Sequence, residues 1–115
     1  MKVRVKKEWC ESKDHVMLYL EPNKIYTCFG IESRYGIISI SLYLDDRQLF
    51  LKPLDLFEII DPKFDFEVTF FYYSKDYFEI RPSFFSAQGK DFLEQFSDYD
   101  EGARSIFFEW AGKYL

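Results

Sequence analysis

The chain has 115 residues, of which 48% are hydrophobic and 30% charged, and its formal net charge is −5 at pH 7. This length and composition are typical of one globular domain, so we expect a single domain over residues 1–115 that needs no disulfide or metal to fold. No apolar run approaches the roughly 20 residues that cross a bilayer, and no apolar stretch follows the basic N-terminus. These two features argue against a membrane or signal segment and favour a cytoplasmic location.

The charge is distributed unevenly along the chain. Residues 1–7 carry four bases and no acid, so the rest of the chain carries eleven bases and twenty acids, a net charge of −9. An acidic body of this kind repels phosphate groups and attracts basic proteins. We therefore expect neither direct nucleic-acid binding nor binding to an anionic membrane.

The first third of the chain is predicted to form three strands. Apolar and charged residues alternate from Val3 to Trp9, which predicts a strand with one buried face and one basic face, and so an edge strand. A second, short strand is predicted from His15 to Leu20. Turn residues at 21–24 then lead to a third strand, from Ile25 to Ile31.

The clearest alternation runs from Ile37 to Leu44, where isoleucine and leucine occupy one face while serine and tyrosine occupy the other. Asp45-Asp46-Arg47-Gln48 is typical of a turn, so residues 49–51 are predicted to return as the second strand of a hairpin. Pro53 is suited to begin a short helical turn that ends near Phe57.

A different pattern runs from Glu67 to Tyr73, where valine, phenylalanine and tyrosine occupy both faces. A strand that is apolar on both faces is typically central or covered on both sides, and we expect this position for it. The turn residues at 73–76 then lead to a strand from Tyr77 to Ile80, which Arg81-Pro82 ends.

The C-terminus is predicted to form an amphipathic helix from about Tyr99 to Gly112. Asp98 and Glu101 have the spacing of a capping box at its start. The elements together predict an α+β fold that is mainly β: a twisted antiparallel sheet or small half-barrel of about five to seven strands, with the C-terminal helix packed on it. The apolar stripe of this helix consists of Ala103, Ile106, Phe107, Trp110, Ala111 and Tyr114.

The chain lacks the motifs of the common catalytic and metal sites. His15, Cys10 and Cys28 have none of the short paired spacings of zinc ligands, and we expect both thiols to be reduced. Gly89-Lys90 is not a phosphate-binding loop, because Asp91 occupies the Ser/Thr position. We therefore expect no metal, no cofactor and no enzymatic activity.

Two acidic stretches that also contain aromatic residues are the candidate partner-binding surfaces. Aromatic side chains anchor interfaces, and carboxylates attract and hydrogen-bond a basic partner. Acids at the start of a helix are also explained by capping and by the helix dipole, which offers an alternative for the acids near residue 100. The candidate residues are Asp61 and Asp65 in the first stretch, and Asp91, Glu94, Asp98, Tyr99, Asp100 and Glu101 in the second.

Three local patterns lie between residues 20 and 100: KIYTCFGI at 24–31, LFEIID at 56–61 and YFEIRPSFF at 77–85. Together they resemble small bacterial immunity proteins, which neutralise polymorphic or contact-dependent growth-inhibition toxins. The resemblance implies a cytosolic inhibitor that binds one cognate toxin domain, often a nuclease with a basic active-site cleft, and blocks it.

Two other classes of function also fit the composition. A small ligand-binding domain or enzyme would use an aromatic-lined pocket with carboxylates, and it predicts a deep concave pocket. An assembly subunit would instead form a homo-oligomer through its aromatic faces. For this chain we expect a monomer or a weak homo-oligomer.

Overall fold

The computed structural model describes residues 1–11, 19–44 and 47–115. In this part of the chain seven strands form one antiparallel sheet, which confirms the predicted mainly β fold with a C-terminal helix. The strands are β1 (Lys2–Val5), β2 (Tyr26–Arg34), β3 (Ile37–Leu44), β4 (Gln48–Pro53), β5 (Phe57–Asp61), β6 (Val68–Ser74) and β7 (Tyr77–Pro82).

Four helices accompany the described sheet, and all but the first follow β7. Short 3₁₀ turns precede β5 (Leu54–Leu56) and close the chain (Gly112–Tyr114). The helices are α1 (Lys7–Cys10), α2 (Ser83–Ala87), α3 (Phe92–Ser97) and α4 (Glu101–Ala111).

The sheet divides into two branches at β2. β3 pairs along one edge of β2, while β1 pairs with its first residues and β7 with its last residues along the opposite edge. From there β1 continues to β5, β7 continues to β6, and β3 continues to β4. The two branches therefore share only β2 and the β3–β4 hairpin beside it.

Gly30 lies where the sheet divides. A Cβ at this position would lie 2.9 Å from the main-chain oxygen of Ile80, so a side chain would have to displace β7. The register between β2 and β3 also shifts between Cys28 and Gly30. Such a bulge bends a strand and increases its twist. The bulge, together with the lack of a side chain at Gly30, allows β2 to pair with β1 through its first residues and with β7 through its last residues.

Two hydrophobic cores lie on the sheet. The neighbouring residues Cys28 and Phe29 of β2 enter different cores, because successive side chains of a strand point to opposite faces. The first core contains Met1, Val3, Val5, Leu20, Tyr26, Cys28, Ile40, Leu42, Leu56 and Phe57. The second contains Phe29, Phe66, Phe85, Phe92, Phe96, Ala103, Phe107, Phe108 and Ala111.

The second core is mostly aromatic and is centred on Phe107 of α4, which is fully buried. Its ring centroid lies 4.9 Å from those of Phe85 and Phe96 and 5.8 Å from that of Phe29. Ring pairs at such distances add about 0.5–1.5 kcal/mol each beyond the area they bury. These contacts fix α2, α3 and α4 against the sheet.

Several elements occur where the sequence predicts them. β3 has the predicted bounds, and β4 returns beside it as a hairpin. In the turn before β2, Asn23 adopts the left-handed conformation, with φ of 66°. Pro53 precedes the short helical turn as predicted.

The predicted positions of two strands are wrong. β1 is not an edge strand, because it lies between β2 and β5, where Arg4 forms an ion pair with Glu58 at 2.6 Å. It is also shorter than predicted, since Trp9 lies in α1. β6 is not central: within the described residues it pairs with β7 alone, and Phe70 and Tyr72 are exposed.

The start and the buried face of the C-terminal helix also differ from the prediction. The N-cap of α4 is Asp100, and Asp98 ends α3, so the predicted capping box does not form. Ile106 is 47% exposed and is not part of the buried stripe. Phe108 is buried instead, because α3 places Phe96 beside it, with 5.9 Å between the ring centroids.

Four described strands and helices were not predicted: α1, β5, α2 and α3. Of the strand predicted from His15 to Leu20, only Tyr19 and Leu20 are described, and neither is in a strand. The predicted turn residues Asp45 and Asp46 lie outside the described residues.

Candidate functional site

The candidate site is an exposed acidic surface on α3 and at its junction with α4. The short helix α3 is held to the core by Phe92 and Phe96, which are buried one turn apart. Leu93 packs partly against the second core, whereas Glu94 and Gln95 and the residues that flank the helix are exposed. We call the resulting set the acidic surface. It consists of Asp91, Glu94, Asp98, Tyr99, Asp100 and Glu101, all of them exposed.

Tyr99 is fixed at the centre of this surface by the main chain. Its N–H donates to the carbonyl of Phe96 at 3.1 Å, and the N–H of Asp100 donates to the carbonyl of Gln95 at 3.0 Å. This is the pattern of a Schellman motif, whose left-handed position usually holds glycine. Here Tyr99 occupies it with φ of 63°, and its side chain is 72% exposed. Arg104 lies 4.7 Å from the ring centroid of Tyr99.

One carboxylate of the acidic surface has a clear structural role. Asp100 caps α4 by accepting a hydrogen bond from the N–H of Ala103 at 2.8 Å. For Asp100 the alternative explanation from helix capping is therefore confirmed. Within residues 1–11, 19–44 and 47–115, the carboxylates of Asp91, Glu94, Asp98 and Glu101 have no ion pair or side-chain hydrogen bond.

An apolar groove adjoins the acidic surface. It has a volume of about 340 Å³ and lies between α3, which contributes Leu93 and Phe96, and β4, which contributes Leu51. Gly30 and Ser41 lie in its floor, where small side chains leave room. An adjoining depression of about 330 Å³ shares part of this lining and extends the groove past Ser97 to Tyr99 and Arg104. Tyr99 thus stands at one end of a continuous groove.

A network of charged and tyrosine side chains lies at the other end of the groove. Glu32 of β2 lies directly opposite Glu79 of β7. Arg81 forms an ion pair with Glu79, and both side chains are mostly buried. The Tyr73 hydroxyl donates to Glu79 Oε1 at 2.9 Å and accepts from Arg81 Nη2 at 2.7 Å. Of these residues, Glu32, Glu79 and Arg81 line the groove.

Arg34 forms an ion pair with Glu32, the other glutamate of the Glu32–Glu79 pair. Its Nη2 lies 3.1 Å from Glu32 Oε1, and its guanidinium lies 4.4 Å from the ring centroid of Tyr77. The pKa of Arg34 is raised, first by the hydrogen bond with Tyr77 and then by the carboxylate of Glu32. Sequence reasoning missed these residues, because no local pattern shows that residues 32 and 79 are neighbours.

The structure does not bring Asp61 and Asp65 to the acidic surface. Asp61 ends β5 opposite Lys2, and its Oδ1 accepts from the N–H of Lys63 at 3.0 Å. The adjoining Phe66 packs against Trp110 near the C-terminal end of α4, with 5.2 Å between the centroids. The acidic surface lies at the N-terminal end of α4, and an 11-residue helix is about 16 Å long. The two predicted acidic stretches are therefore separate surfaces.

The two cysteines are free. Burial raises the pKa of the Cys28 thiol to about 11, so it is protonated at neutral pH. Its Sγ donates to the carbonyl of Gly30 at 3.1 Å. A protonated, fully buried thiol is a poor nucleophile, which argues against Cys28 as a catalytic residue.

In the described part of the chain, no cluster of three or more His, Cys, Asp or Glu side chains could hold a metal ion.

Comparisons with protein-family models, with curated proteins and with solved structures found no match to this chain. Among the described residues, no helix is both long enough and apolar enough to cross a membrane.

Proposed function

We propose that this chain is an immunity protein, which binds a basic toxin domain through the acidic surface and the adjoining groove and thereby blocks the toxin. One observation carries the proposal: four exposed carboxylates without ion-pair partners among the described residues lie beside an apolar groove that ends at Tyr99. The resemblance of three segments to immunity proteins supports the same class of function.

The arrangement matches the anatomy of a protein interface. Such interfaces have an apolar centre with aromatic anchors, surrounded by a polar and charged rim. Here the groove offers a place for apolar side chains of the partner, and Tyr99 offers an anchor that can enter the partner. The carboxylates accelerate the encounter with a basic surface and form charge-assisted hydrogen bonds with its arginines.

The carboxylates of α3 also cost the free protein some stability. Asp91 and Glu94 are three residues apart, and Glu94 and Asp98 are four apart, so like charges repel on one side of a short helix. Each such pair costs about 0.2–0.5 kcal/mol. Asp98 lies in addition at the C-terminal end of α3, where the helix dipole disfavours negative charge. The dipole favours Asp91 and Glu94, at the N-terminal end of α3, so the penalty falls mainly on Asp98 and on the mutual repulsion. A basic partner would offset both, which supports a role in binding.

The proposal is tested with a triple variant in which Asp91, Glu94 and Asp98 are each replaced by lysine. Asp100 is left unchanged because it caps α4. We expect the wild-type chain, used as bait on extracts of its native cells, to retain a basic protein that the triple variant loses. With the purified partner, the association rate should fall by about tenfold or more, and its dependence on ionic strength should flatten.

A matched control changes the same number of charges away from the acidic surface, by replacing Glu8, Asp55 and Asp76 with lysine. All three are exposed. The control variant should retain the partner. Expression of the partner alone should arrest growth, and co-expression of wild-type chain, but not of the triple variant, should relieve the arrest. A partner bound equally by all three proteins, or a partner without toxicity, would contradict the proposal.

The volume of the groove favours a second candidate function, the binding of a small ligand. Pockets for small molecules start at about 300 Å³, and the groove is close to that size, with Glu32 and Glu79 near one end. Replacing Ser41 in the floor with phenylalanine would fill the groove without touching the acidic carboxylates. A small-ligand protein should then lose its ligand altogether. A toxin-binding protein should keep its association rate and salt dependence, which the carboxylates set, and lose affinity through faster dissociation, because the partner's apolar side chains no longer fit the groove.

A further inference from the structure

We propose that the groove takes an arginine side chain of the partner, whose guanidinium binds the carboxylate of Glu32. The identity of the partner rests on the proposed function, whereas the preference of the groove for arginine can be measured on this chain alone. Glu32 belongs to β2, and the acidic surface belongs to α3 and α4. The contact therefore adds specificity to an interface that would otherwise attract any basic surface.

Glu32 is placed to receive a ligand through the groove. It lies two residues after Gly30 on β2, so both residues face the same side of the sheet, and both line the groove. Gly30 has no side chain, and its neighbour across the strands, Ser41, has a small one. The Glu32 side chain is only 19% exposed. The open floor of the groove thus leads to a mostly buried carboxylate.

One oxygen of this carboxylate is left for a ligand. Within residues 1–11, 19–44 and 47–115, the only ion pair or side-chain hydrogen bond of Glu32 is that of Oε1 with Arg34. In the same residues no side-chain oxygen or nitrogen is both buried and unpaired, so Oε2 is accessible. Glu32 lines the groove and Arg34 does not. A carboxylate accepts several hydrogen bonds, so a donor in the groove can bind Oε2 without displacing Arg34.

The other charged residues of the groove lining are paired with each other. Glu79 forms an ion pair with Arg81 and accepts from the Tyr73 hydroxyl at 2.9 Å. Their charges cancel, so Glu32 gives the lining a net charge of −1. Arg34 offsets this charge only in part, because its side chain is 54% exposed and solvent screens the pair. The groove therefore favours a cation at this end.

Arginine fits both parts of the groove. Its aliphatic stem can lie along the apolar part, between Leu51 of β4 and Leu93 of α3. Its guanidinium is always charged, is more weakly hydrated than the ammonium of lysine, and has donors for both Glu32 and the hydroxyl of Ser41. The volume of about 340 Å³ is near the lower limit of roughly 300 Å³ for small-molecule sites, which suits one long side chain.

The position of the groove connects this contact to the proposed interface. The adjoining depression of about 330 Å³ extends the groove to Tyr99, at the centre of the acidic surface. A basic partner that is held by the carboxylates of α3 therefore lies over the mouth of the groove. Charge complementarity thus identifies the occupant as a basic side chain of that partner.

The first measurement needs no partner. N-acetyl-arginine methylamide, which has no charge at its ends, is titrated into the purified full chain while NMR follows the main-chain amides. We expect saturable shifts at Gly30, Glu32 and Ser41, with a dissociation constant on the order of millimolar because the probe has few atoms. The norleucine and citrulline analogues lack the charge and should bind about tenfold more weakly. Equal affinity of the three probes, or no saturable shift with arginine, would overturn the proposal.

Two variants test the location of the site. Glu32→Gln removes the charge but keeps the size of the side chain and an acceptor for Arg34, and it should weaken binding of the arginine probe by about tenfold. Ser41→Phe keeps the charge, fills the groove and should abolish binding. Glu8→Gln, the same change at an exposed position of α1, is the control and should leave binding unchanged. Urea titrations verify that each variant is folded. If either groove variant kept wild-type affinity, the proposal would be refuted.

The same variant is then measured with the purified toxin domain. Glu32→Gln should raise the dissociation rate by about tenfold and leave the association rate unchanged, because a mostly buried charge contact acts on dissociation. The triple lysine variant of the acidic surface should instead slow association. If Glu32→Gln left dissociation unchanged while the triple variant lost the partner, the arginine contact would be wrong and the proposed function would stand. If the triple variant kept the partner, the proposed function would fail, and the probe titration would still decide whether the groove binds arginine.

Discussion

Replacing Phe107 with alanine should be among the most damaging single changes in the second core. The ring is fully buried and has ring neighbours on α2, α3, α4 and β2, among them Phe85, Phe96 and Phe29. Removing a buried phenylalanine costs about 3–5 kcal/mol, and the ring pairs place Phe107 at the upper end of that range. A protein of this size is stable by about 5–15 kcal/mol, so a loss of this size removes about a third or more of the stability and lowers the urea midpoint in proportion.

The matched control is its neighbour on the same helix. Ile106 is 47% exposed, so Ile106→Ala should cost less than about 1 kcal/mol, and the higher helix propensity of alanine offsets part of that loss. Urea titrations of both variants and of wild type measure the two differences in unfolding free energy. The placement of α4 would be refuted if Phe107→Ala cost less than about 1.5 kcal/mol or if the two variants were equally destabilised.

Three further predictions concern single positions. Gly30→Ala forces a Cβ against the main-chain oxygen of Ile80 and should cost about 1–3 kcal/mol, whereas Gly112→Ala, with no atom within 4 Å, should not destabilise the protein in the same urea titration. Tyr99→Gly should be more stable than Tyr99→Ala by about 1 kcal/mol, because only glycine relieves the left-handed backbone, while both variants should lose partner affinity equally in a binding titration. Burial raises the pKa of the Cys28 thiol from 9.0 to about 11; the unfolded chain therefore ionises first, so stability is complete below pH 9 and falls by up to about 2–3 kcal/mol towards pH 11. Cys28→Ala should lack this decline when the two proteins are unfolded at each pH; a parallel decline in both would refute the assignment.

The sequence predicted those elements whose pattern is local. The alternation from Ile37 to Leu44 predicts the bounds of β3, but not that Tyr43 on its second face packs against the second core. The periodic apolar residues predict α4 to within two residues at each end. β6 was assigned as a strand correctly but in the wrong position. The alternation of its aromatic residues shows which side chains share a face, but it does not show how many strands pair with β6. Val68 packs against the second core, while on the other face the guanidinium of Arg81 lies 4.0 Å from the ring centroid of Phe71.

The candidate site was predictable only where its residues are close in sequence. The residues from Asp91 to Glu101 form one surface because α3 is short and α4 follows it directly. Asp61 and Asp65 belong to the other predicted acidic stretch, and α4 separates the two places. The pairing of Glu32 with Glu79 depends on how two distant strands align, and no pattern in either strand encodes that alignment.

The division of the sheet at β2 has a consequence for how the protein opens. β1 pairs with β2 through two residue pairs and the hydrogen bond from the Cys28 N–H to the Met1 carbonyl, but with β5 through four pairs, so β1 and β5 form a ribbon joined to β2 by a shorter ladder. Proteins open in cooperative units whose stabilities differ. We expect this ribbon to detach as one unit at a lower free energy than global unfolding, which would transiently expose the first core. Native-state hydrogen exchange would then place the amides of β1 and β5 in a less stable class than those shared by β2, β3 and β7.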